Sequence, residues 1–201
     1  IGGVAGGAST AARLRRVDEE AEIVMLEKGP YVSFANCGLP YYLSRTINER
    51  EKLMVTTPES LKEMLNIDAR PNSEVVEIDR EGKSVLVREH PGGREYRENY
   101  DKLVLAPGAE PIIPPLPGVD LEGVFILHNI PELDAIDGYI KAKQVKRAVV
   151  IGGGFIGLEV AENLAEIGIS VSVVEMLNQV MAPVDYEMAV EVHEHLALHG
   201  I

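Results

Sequence analysis

The 201-residue sequence contains no tryptophan and a single cysteine, Cys37. One thiol cannot form a disulfide within the chain, which excludes a small domain held together by disulfides and is typical of a reducing compartment. We therefore predict a cytoplasmic protein. The lone thiol has to react with a sulfur or oxygen atom that comes from outside the chain.

The sequence also lacks long hydrophobic runs and an excess of basic residues. Apolar stretches such as 148–151 and 171–174 have the length of strands, so we expect no transmembrane helix and no membrane partner. The net charge of -13 argues against nucleic acid as a general partner. The densest basic cluster consists of Arg13, Arg15 and Arg16. From composition alone, a solvated helix face is favoured over an anion site for this cluster.

A glycine-rich turn opens the sequence at 1–7. It is followed by a predicted helix over 9–17 and a buried strand over 23–26 that ends at Glu27. A glycine turn, a helix, a strand and a terminal acid belong to a βαβ unit whose first strand is missing here.

The same succession returns in the second half of the chain. A strand at 148–151 leads into a glycine turn at 152–157, a helix over 158–167, and a strand over 169–174 that ends at Glu175. We therefore predict an α/β fold with two Rossmann-like dinucleotide-binding domains.

Between the two units, a helix is predicted over 58–65, with Thr57 as its N-cap and Pro58 at its first position. Strands at 73–78 and 83–88, a third strand, and a further strand over 100–106 predict a small antiparallel β meander that returns to the main sheet.

Five prolines between 107 and 118 are incompatible with a helix or a central strand, so we predict a stiff interdomain linker there. The predicted domains are a first dinucleotide-binding part over 1–110 and a second over 111–201. Helices are expected near 131–143 and over 185–200. Because the sequence starts inside a turn and ends after a helix, it is expected to be truncated at both ends.

The second glycine turn matches GxGxxG between a strand and a helix. In that context the glycines make the tight turn, admit a pyrophosphate and allow close helix packing, while the helix N-terminus supplies amide donors. Glu175 would accept from ribose hydroxyls and repel a 2′-phosphate, so NADH is favoured over NADPH. The predicted NADH contacts are Gly152, Gly154, Phe155, Ile156, Gly157 and Glu175.

The first turn is less regular, since Val4 stands where the second glycine of the pattern Gly2-x-Val4-x-x-Gly7 is expected. Glu27 nevertheless closes the pattern at the end of the next strand. Two such sites imply two nucleotides that exchange electrons, and the usual pair is a flavin with a nicotinamide.

The segment 33–42, with sequence SFANCGLPYY, resembles the active-site segment of coenzyme A-disulfide reductases and persulfide reductases. These belong to the single-cysteine branch of the FAD-dependent pyridine nucleotide-disulfide oxidoreductases. Tyr42 occupies the place of the second cysteine of the two-cysteine branch. Pro107 departs from the threonine of many relatives.

The resemblance implies an enzyme that passes electrons from NADH through FAD to a disulfide or persulfide of coenzyme A, with Cys37 as the catalytic residue. It also implies a homodimer and a longer protein, with the rest of the NADH domain, an FAD return segment and a C-terminal dimerisation domain. The implied FAD contacts are Gly2, Val4, Ala5, Gly7, Glu27, Lys28, Val76, Ala106, Pro107 and Gly108.

Ser9, Arg13 and Arg16 are spaced i, i+4 and i+7, which places them on one helix stripe. Two guanidiniums and a hydroxyl suit an adenosine phosphate such as that of coenzyme A, and the resemblance supports this seat. By the same alignment Arg70 adds a positive charge, and a solvated arginine stays open as the alternative for Arg13 and Arg70. Ser33 and Asn36 are expected to flank the reacting sulfurs, although Ser33 fits a structural turn equally well.

Cys37 is predicted at the start of a short helix that runs towards Leu43, with Asn36 as its cap, an arrangement that favours a thiolate. Glu159 is expected to contact the nicotinamide ribose, or else to be a carboxylate on the helix surface. His193, His195 and His199 do not share one helix face, so we interpret them as surface residues and predict no metal site.

Two other functions remain open. The chain could reduce oxygen or peroxide, with Cys37 cycling through a sulfenic acid, or be a non-catalytic flavin-binding redox module. The arginine stripe argues against the first alternative, since peroxide needs no seat for a large anion.

Overall fold

The computed structural model describes all 201 residues, which form two compact units. Unit 1 consists of residues 1–35 and 54–110, and unit 2 of residues 36–53 and 111–201. The division at 110 coincides with the proline segment. Residues 36–53, which contain Cys37, group with unit 2, whereas the sequence prediction assigned them to the first domain.

The helices, in chain order, are α1 (Ala5–Val17), α2 (Leu39–Leu43), α3 (Pro58–Leu65), α4 (Ile130–Lys143), α5 (Phe155–Glu166) and α6 (Tyr186–Leu198). The strands are β1 (Ile23–Leu26), β2 (Ile67–Arg70), β3 (Ser73–Asp79), β4 (Ser84–Glu89), β5 (Glu95–Asn99), β6 (Arg147–Ile151) and β7 (Ser170–Val174). Short 3₁₀ turns cover Asn36–Gly38 and Arg50–Leu53. The chain is therefore of the predicted α/β class.

In unit 1, β1 and β2 form a parallel pair in which Ile23 lies opposite Ile67. Ala8 and Ala11 of α1 belong to the buried cluster that also contains Ile23, Met25, Val32, Leu61 and Ile67. The small alanine side chains allow α1 to approach the strands closely. Strand β2 was not predicted, because two of its four residues are charged and its apolar signal is short.

The antiparallel meander of unit 1 has the order β3-β4-β5. A register shift between Val75 and Glu77 marks a β-bulge at Val76. The strand predicted over 100–106 is wrong, since those residues form no strand. Residues 104–106 lie beside Ile1 instead. The Ile1 amino group donates to the Val104 carbonyl, and the Ala106 amide donates to the Ile1 carbonyl, each at 2.8 Å.

Arg15 differs from its neighbours in the basic cluster because it is buried, with 9% of its surface exposed. Its guanidinium donates to the carbonyls of Leu65, Asp18, Glu19, Ala21 and Asn66. Arg15 is therefore a structural residue, and a solvated face is wrong for this member of the cluster.

In unit 2, β6 and β7 are parallel in the register Val149 to Ser172, and α5 packs against both. Helix α4 begins after Asn129, whose side chain accepts a hydrogen bond from the Glu132 amide. Asparagine is a favoured residue at such a cap. None of the helices is long and apolar enough to cross a lipid bilayer.

An ion-pair cluster attaches residues 36–53 to α4. Asp137, only 8% exposed, accepts hydrogen bonds from Arg45 and, at 2.7 Å, from Lys141. Although burial acts to raise the pKa of Asp137, its bonds to Lys141 and Arg45 outweigh this effect and hold the pKa below its ordinary value. Arg45, two residues after the end of α2, has φ of +69°, a left-handed value that is more common for glycine.

We expect Asp137→Asn to lower the free energy of unfolding by about 2 kcal/mol at pH 7, because the change leaves two cations without their shared buried carboxylate. A depressed pKa in the folded state stabilises the fold above the unfolded pKa, and this contribution is lost as the pH falls through the folded value. The difference between variant and wild type should therefore shrink below about pH 4. Urea unfolding between pH 7 and pH 3.5 measures it.

Asp134→Asn is the matched control. Asp134 lies on α4 like Asp137 and forms an ion pair with Arg50, but its side chain is 43% exposed. Exposed pairs contribute little, so its loss should change stability by at most about 0.5 kcal/mol. Equal effects of the two substitutions would contradict a special role of Asp137.

Candidate functional site

The glycine turn of unit 2 is a tight connection from β6 to α5. The Gly152 amide donates to the Val174 carbonyl at 2.8 Å, and Gly152 has φ of +106°. A Cβ on Gly157 would lie 2.0 Å from the Gly152 carbonyl oxygen, so only glycine fits there. A Cβ on Gly154 would meet nothing within 4 Å. Open space therefore lies at the N-terminus of α5, where a pyrophosphate is expected.

Glu175 fixes the other side of this turn. Its Oε2 accepts from the Gly153 amide at 2.7 Å and its Oε1 from the Leu177 amide at 2.9 Å. The backbone bonds from Leu177 and Gly153 lower the pKa of Glu175, which keeps its carboxylate ionised. Each oxygen retains a lone pair with which to accept from a ribose hydroxyl.

Unit 1 repeats this geometry. The Gly2 amide donates to the Leu26 carbonyl at 2.8 Å, and a Cβ on Gly7 would lie 1.7 Å from the Gly2 carbonyl oxygen. Glu27 accepts from the Gly3 amide at 2.7 Å and from the Gly29 amide at 2.6 Å. The turn thus keeps its shape although Val4 replaces a glycine.

Several other predicted FAD contacts lie around this turn. A Cβ on Gly2 would lie 2.0 Å from the Ala106 carbonyl oxygen, so the 106–108 segment packs directly on the turn. Ala5 begins α1, and Lys28, which is exposed, directly follows Glu27. Val76 lies apart in the β3 bulge. The assignments of these residues, including Pro107 and Gly108, stay predictions.

The cysteine segment is divided between the units. In unit 1, the Ser33 amide donates to the Gly3 carbonyl at 2.8 Å, and Ser33 has φ of 46°. In unit 2, Cys37 is exposed and lies in the 3₁₀ turn Asn36–Gly38. The predicted cap is wrong, because α2 begins after Gly38 and has no side-chain cap.

Helix α2 faces α5 within unit 2. The Tyr41 hydroxyl lies 3.5 Å from Oε1 of Glu159, whose carbonyl accepts from Asn163 at 2.7 Å. The Glu159 charge raises the pKa of the Tyr41 phenol, which therefore stays neutral. Phe155 and Ile156 are exposed at the start of α5. Sequence reasoning did not single out Tyr41, since a tyrosine beside a cysteine carries no distinctive spacing.

The predicted arginine stripe lies on the exposed side of α1. Ser9, Arg13 and Arg16 are all exposed, and neither arginine forms an ion pair. Their guanidiniums are therefore available to an anionic ligand.

Arg70 has partners within unit 1. It pairs with Asp68 and Glu98 and donates to the Tyr96 hydroxyl at 3.0 Å. Burial acts against the charged form, but these hydrogen bonds raise the pKa of Arg70. Its charge is thus already matched by two carboxylates, and a ligand contact for Arg70 stays a prediction.

The three histidines of α6 have different surroundings. His195 and His199 are exposed, and their ring centroids lie 4.3 Å apart. His193 is half-buried and accepts a hydrogen bond from the Val180 amide at 3.1 Å, so its interpretation as a surface residue is wrong.

Comparison with known proteins agrees with this geometry. The family model described as pyridine nucleotide-disulphide oxidoreductase matches residues 1–201. The chain belongs to the pyridine nucleotide-disulphide oxidoreductase family. A coenzyme A disulfide reductase of Staphylococcus haemolyticus is 38% identical over 188 residues, which cover 94% of this chain and 42% of the relative. The chain thus spans less than half of that relative.

Two solved structures of this family resemble the chain. Reduced Bacillus anthracis CoADR-RHD is 54% identical with a TM-score of 0.97, over 99% of this chain and 36% of the other. A NAD-dependent persulfide reductase from A. fulgidus is 40% identical with a TM-score of 0.95, over 100% of this chain and 38% of the other. These likenesses confirm the family that the cysteine segment suggested.

Proposed function

We propose that this chain is part of an NADH-dependent, FAD-containing reductase that acts on coenzyme A disulfide or on a coenzyme A persulfide. The observation that carries the proposal is the exposed, solitary Cys37 in a chain with two dinucleotide-type glycine turns. The names of the similar proteins support the same substrate class.

The residues of both turns fit their nucleotides. In unit 2, the open space at Gly154 and the α5 amides suit the pyrophosphate of NADH, while Glu175 suits its ribose. In unit 1, Gly2, Gly7 and Glu27 provide the equivalent seat for FAD. When bound, the flavin supplies two-electron transfer between NADH and sulfur.

Cys37 acts through its sulfur. Its thiolate attacks one sulfur of the coenzyme A disulfide, forming a mixed disulfide and releasing one coenzyme A thiolate. Two electrons that originate from NADH then cleave the mixed disulfide, which releases the second coenzyme A and restores the Cys37 thiolate. A second protein thiol is not needed, because the substrate brings the partner sulfur.

Arg13 and Arg16 are proposed to hold an adenosine phosphate of coenzyme A, together with Ser9. We expect Arg13→Gln and Arg16→Gln each to raise the KM for coenzyme A disulfide about tenfold, since each removes one charge-assisted contact. Arg80→Gln, which changes an exposed arginine in the β3–β4 turn, should leave that KM unaltered. Steady-state kinetics measure all three, and an unchanged KM in both stripe variants would contradict this seat.

The proposed function is tested by NADH oxidation in the flavin-loaded enzyme with three acceptors compared at equal concentration: coenzyme A disulfide, a coenzyme A persulfide and hydrogen peroxide. Preference for either sulfur substrate supports the proposal. Faster turnover with peroxide would favour the alternative function instead, an oxidase or peroxidase that uses a Cys37 sulfenic acid. The same assay with NADPH measures the expected preference for NADH.

A further inference from the structure

The two nucleotide turns share a feature beyond their glycines and acids. In unit 1, the Ser33 amide donates to the Gly3 carbonyl, and Val32 Cγ1 lies 3.1 Å from where a Gly3 Cβ would be. In unit 2, the Met181 amide donates to the Gly153 carbonyl at 2.7 Å, and Val180 Cγ1 lies 2.7 Å from the corresponding position on Gly153.

The correspondence extends to the backbone. Ser33 and Met181 both have left-handed conformations, with φ of 46° and 53°. Val32 and Val180 are both buried, at 2% and 8% exposure, and each lies five residues after the acid of its unit. In each unit, a buried valine followed by a residue with a left-handed backbone therefore packs on the second glycine of the turn, Gly3 in unit 1 and Gly153 in unit 2. The recurrence of this contact indicates that the turn requires it.

In unit 2, Val180 is itself held in place by a residue of α6. The Val180 amide donates to Nε2 of His193 at 3.1 Å, which requires Nε2 to be unprotonated. The His193 ring also packs edge-on against Tyr186, with centroids 6.4 Å apart. Because Val180 is buried, removing this acceptor would leave its amide without a partner.

We propose that His193 is a positioning residue for the nucleotide turn of unit 2: it holds Val180, which fixes Gly153 against the expected pyrophosphate seat. The role reaches NADH only through the backbone, so its loss should weaken nucleotide binding more than turnover. This inference rests on the proposed function for the identity of the nucleotide.

Three variants test it. We expect His193→Phe to raise the KM for NADH and the dissociation constant of ADP-ribose about tenfold, with kcat changed less than twofold, since the aromatic ring stays but the acceptor is lost. His193→Gln restores an acceptor and should bind within about threefold of wild type. His195→Phe, the same change two residues along α6, should have no effect. Calorimetry with ADP-ribose measures binding separately from activity.

Equal ADP-ribose affinity in wild type and His193→Phe would overturn the proposal, as would equal weakening in the Phe and Gln variants. If wild type binds no ADP-ribose, the nucleotide assignment fails instead. Hydrogen exchange of the unaltered protein gives a second test, independent of whether the variants fold. We expect the Val180 amide to be protected, and exchange at an unprotected rate would overturn the proposal.

Discussion

Replacing Cys37 by serine should lower the rate of coenzyme A disulfide reduction at least about 1,000-fold, because a hydroxyl cannot form the mixed disulfide. No other thiol in the chain can substitute for it. Transfer of electrons from NADH to ferricyanide should change less than about twofold, since that reaction does not use the thiol. Stopped-flow flavin reduction and steady-state NADH oxidation measure the two parts separately.

Thr46→Ser is a matched control for this prediction. It alters an exposed residue within 36–53, the stretch that also contains Cys37, and retains the hydroxyl that contacts Ser44. It should leave both reactions intact. NADH turnover that Cys37→Ser leaves unchanged would contradict a catalytic role of Cys37 and favour the non-catalytic flavin-binding redox module.

The helices and strands that depend on local signals could be predicted from the sequence. Helix α3 has the predicted bounds, and Thr57 accepts from the Ser60 amide as its N-cap. Strand β1 likewise has its predicted bounds, because a buried parallel strand is a short apolar run. Both glycine turns could be predicted because their close backbone contacts, such as that of Gly7 with Gly2, leave no room for a Cβ. Glycine is therefore required at a fixed spacing that the sequence shows.

Features that depend on contacts distant in sequence could not be predicted. In the sequence, Arg15 cannot be distinguished from the exposed arginines beside it. Its burial depends on the carbonyls of Leu65 and Asn66, which lie 50 and 51 residues further along the chain. The grouping of residues 36–53 with unit 2 likewise depends on Asp137 and other residues of α4. Local patterns identify a motif, whereas the partners of a polar side chain emerge only when the chain has folded.

Gly157→Ala should weaken NADH binding about 100-fold and destabilise the protein by about 2 kcal/mol, because α5 would have to move away from Gly152. The new Cβ would lie 2.0 Å from a backbone oxygen, which cannot rotate aside as a side chain could. Calorimetric titration with NADH and thermal unfolding measure the two effects. Normal affinity in this variant would contradict the assignment of the turn.

Gly154→Ala separates binding from folding at the same turn. Its Cβ would enter space with no protein atom within 4 Å, so the melting temperature should stay within about 2 °C of wild type. If a pyrophosphate occupies that space, NADH affinity should still fall, by about tenfold, because the methyl group crowds the phosphate approach. Unit 1 accommodates Val4 at the equivalent position, so a smaller loss than that of Gly157→Ala is expected. Unchanged NADH affinity in Gly154→Ala would contradict the expected position of the pyrophosphate at the N-terminus of α5.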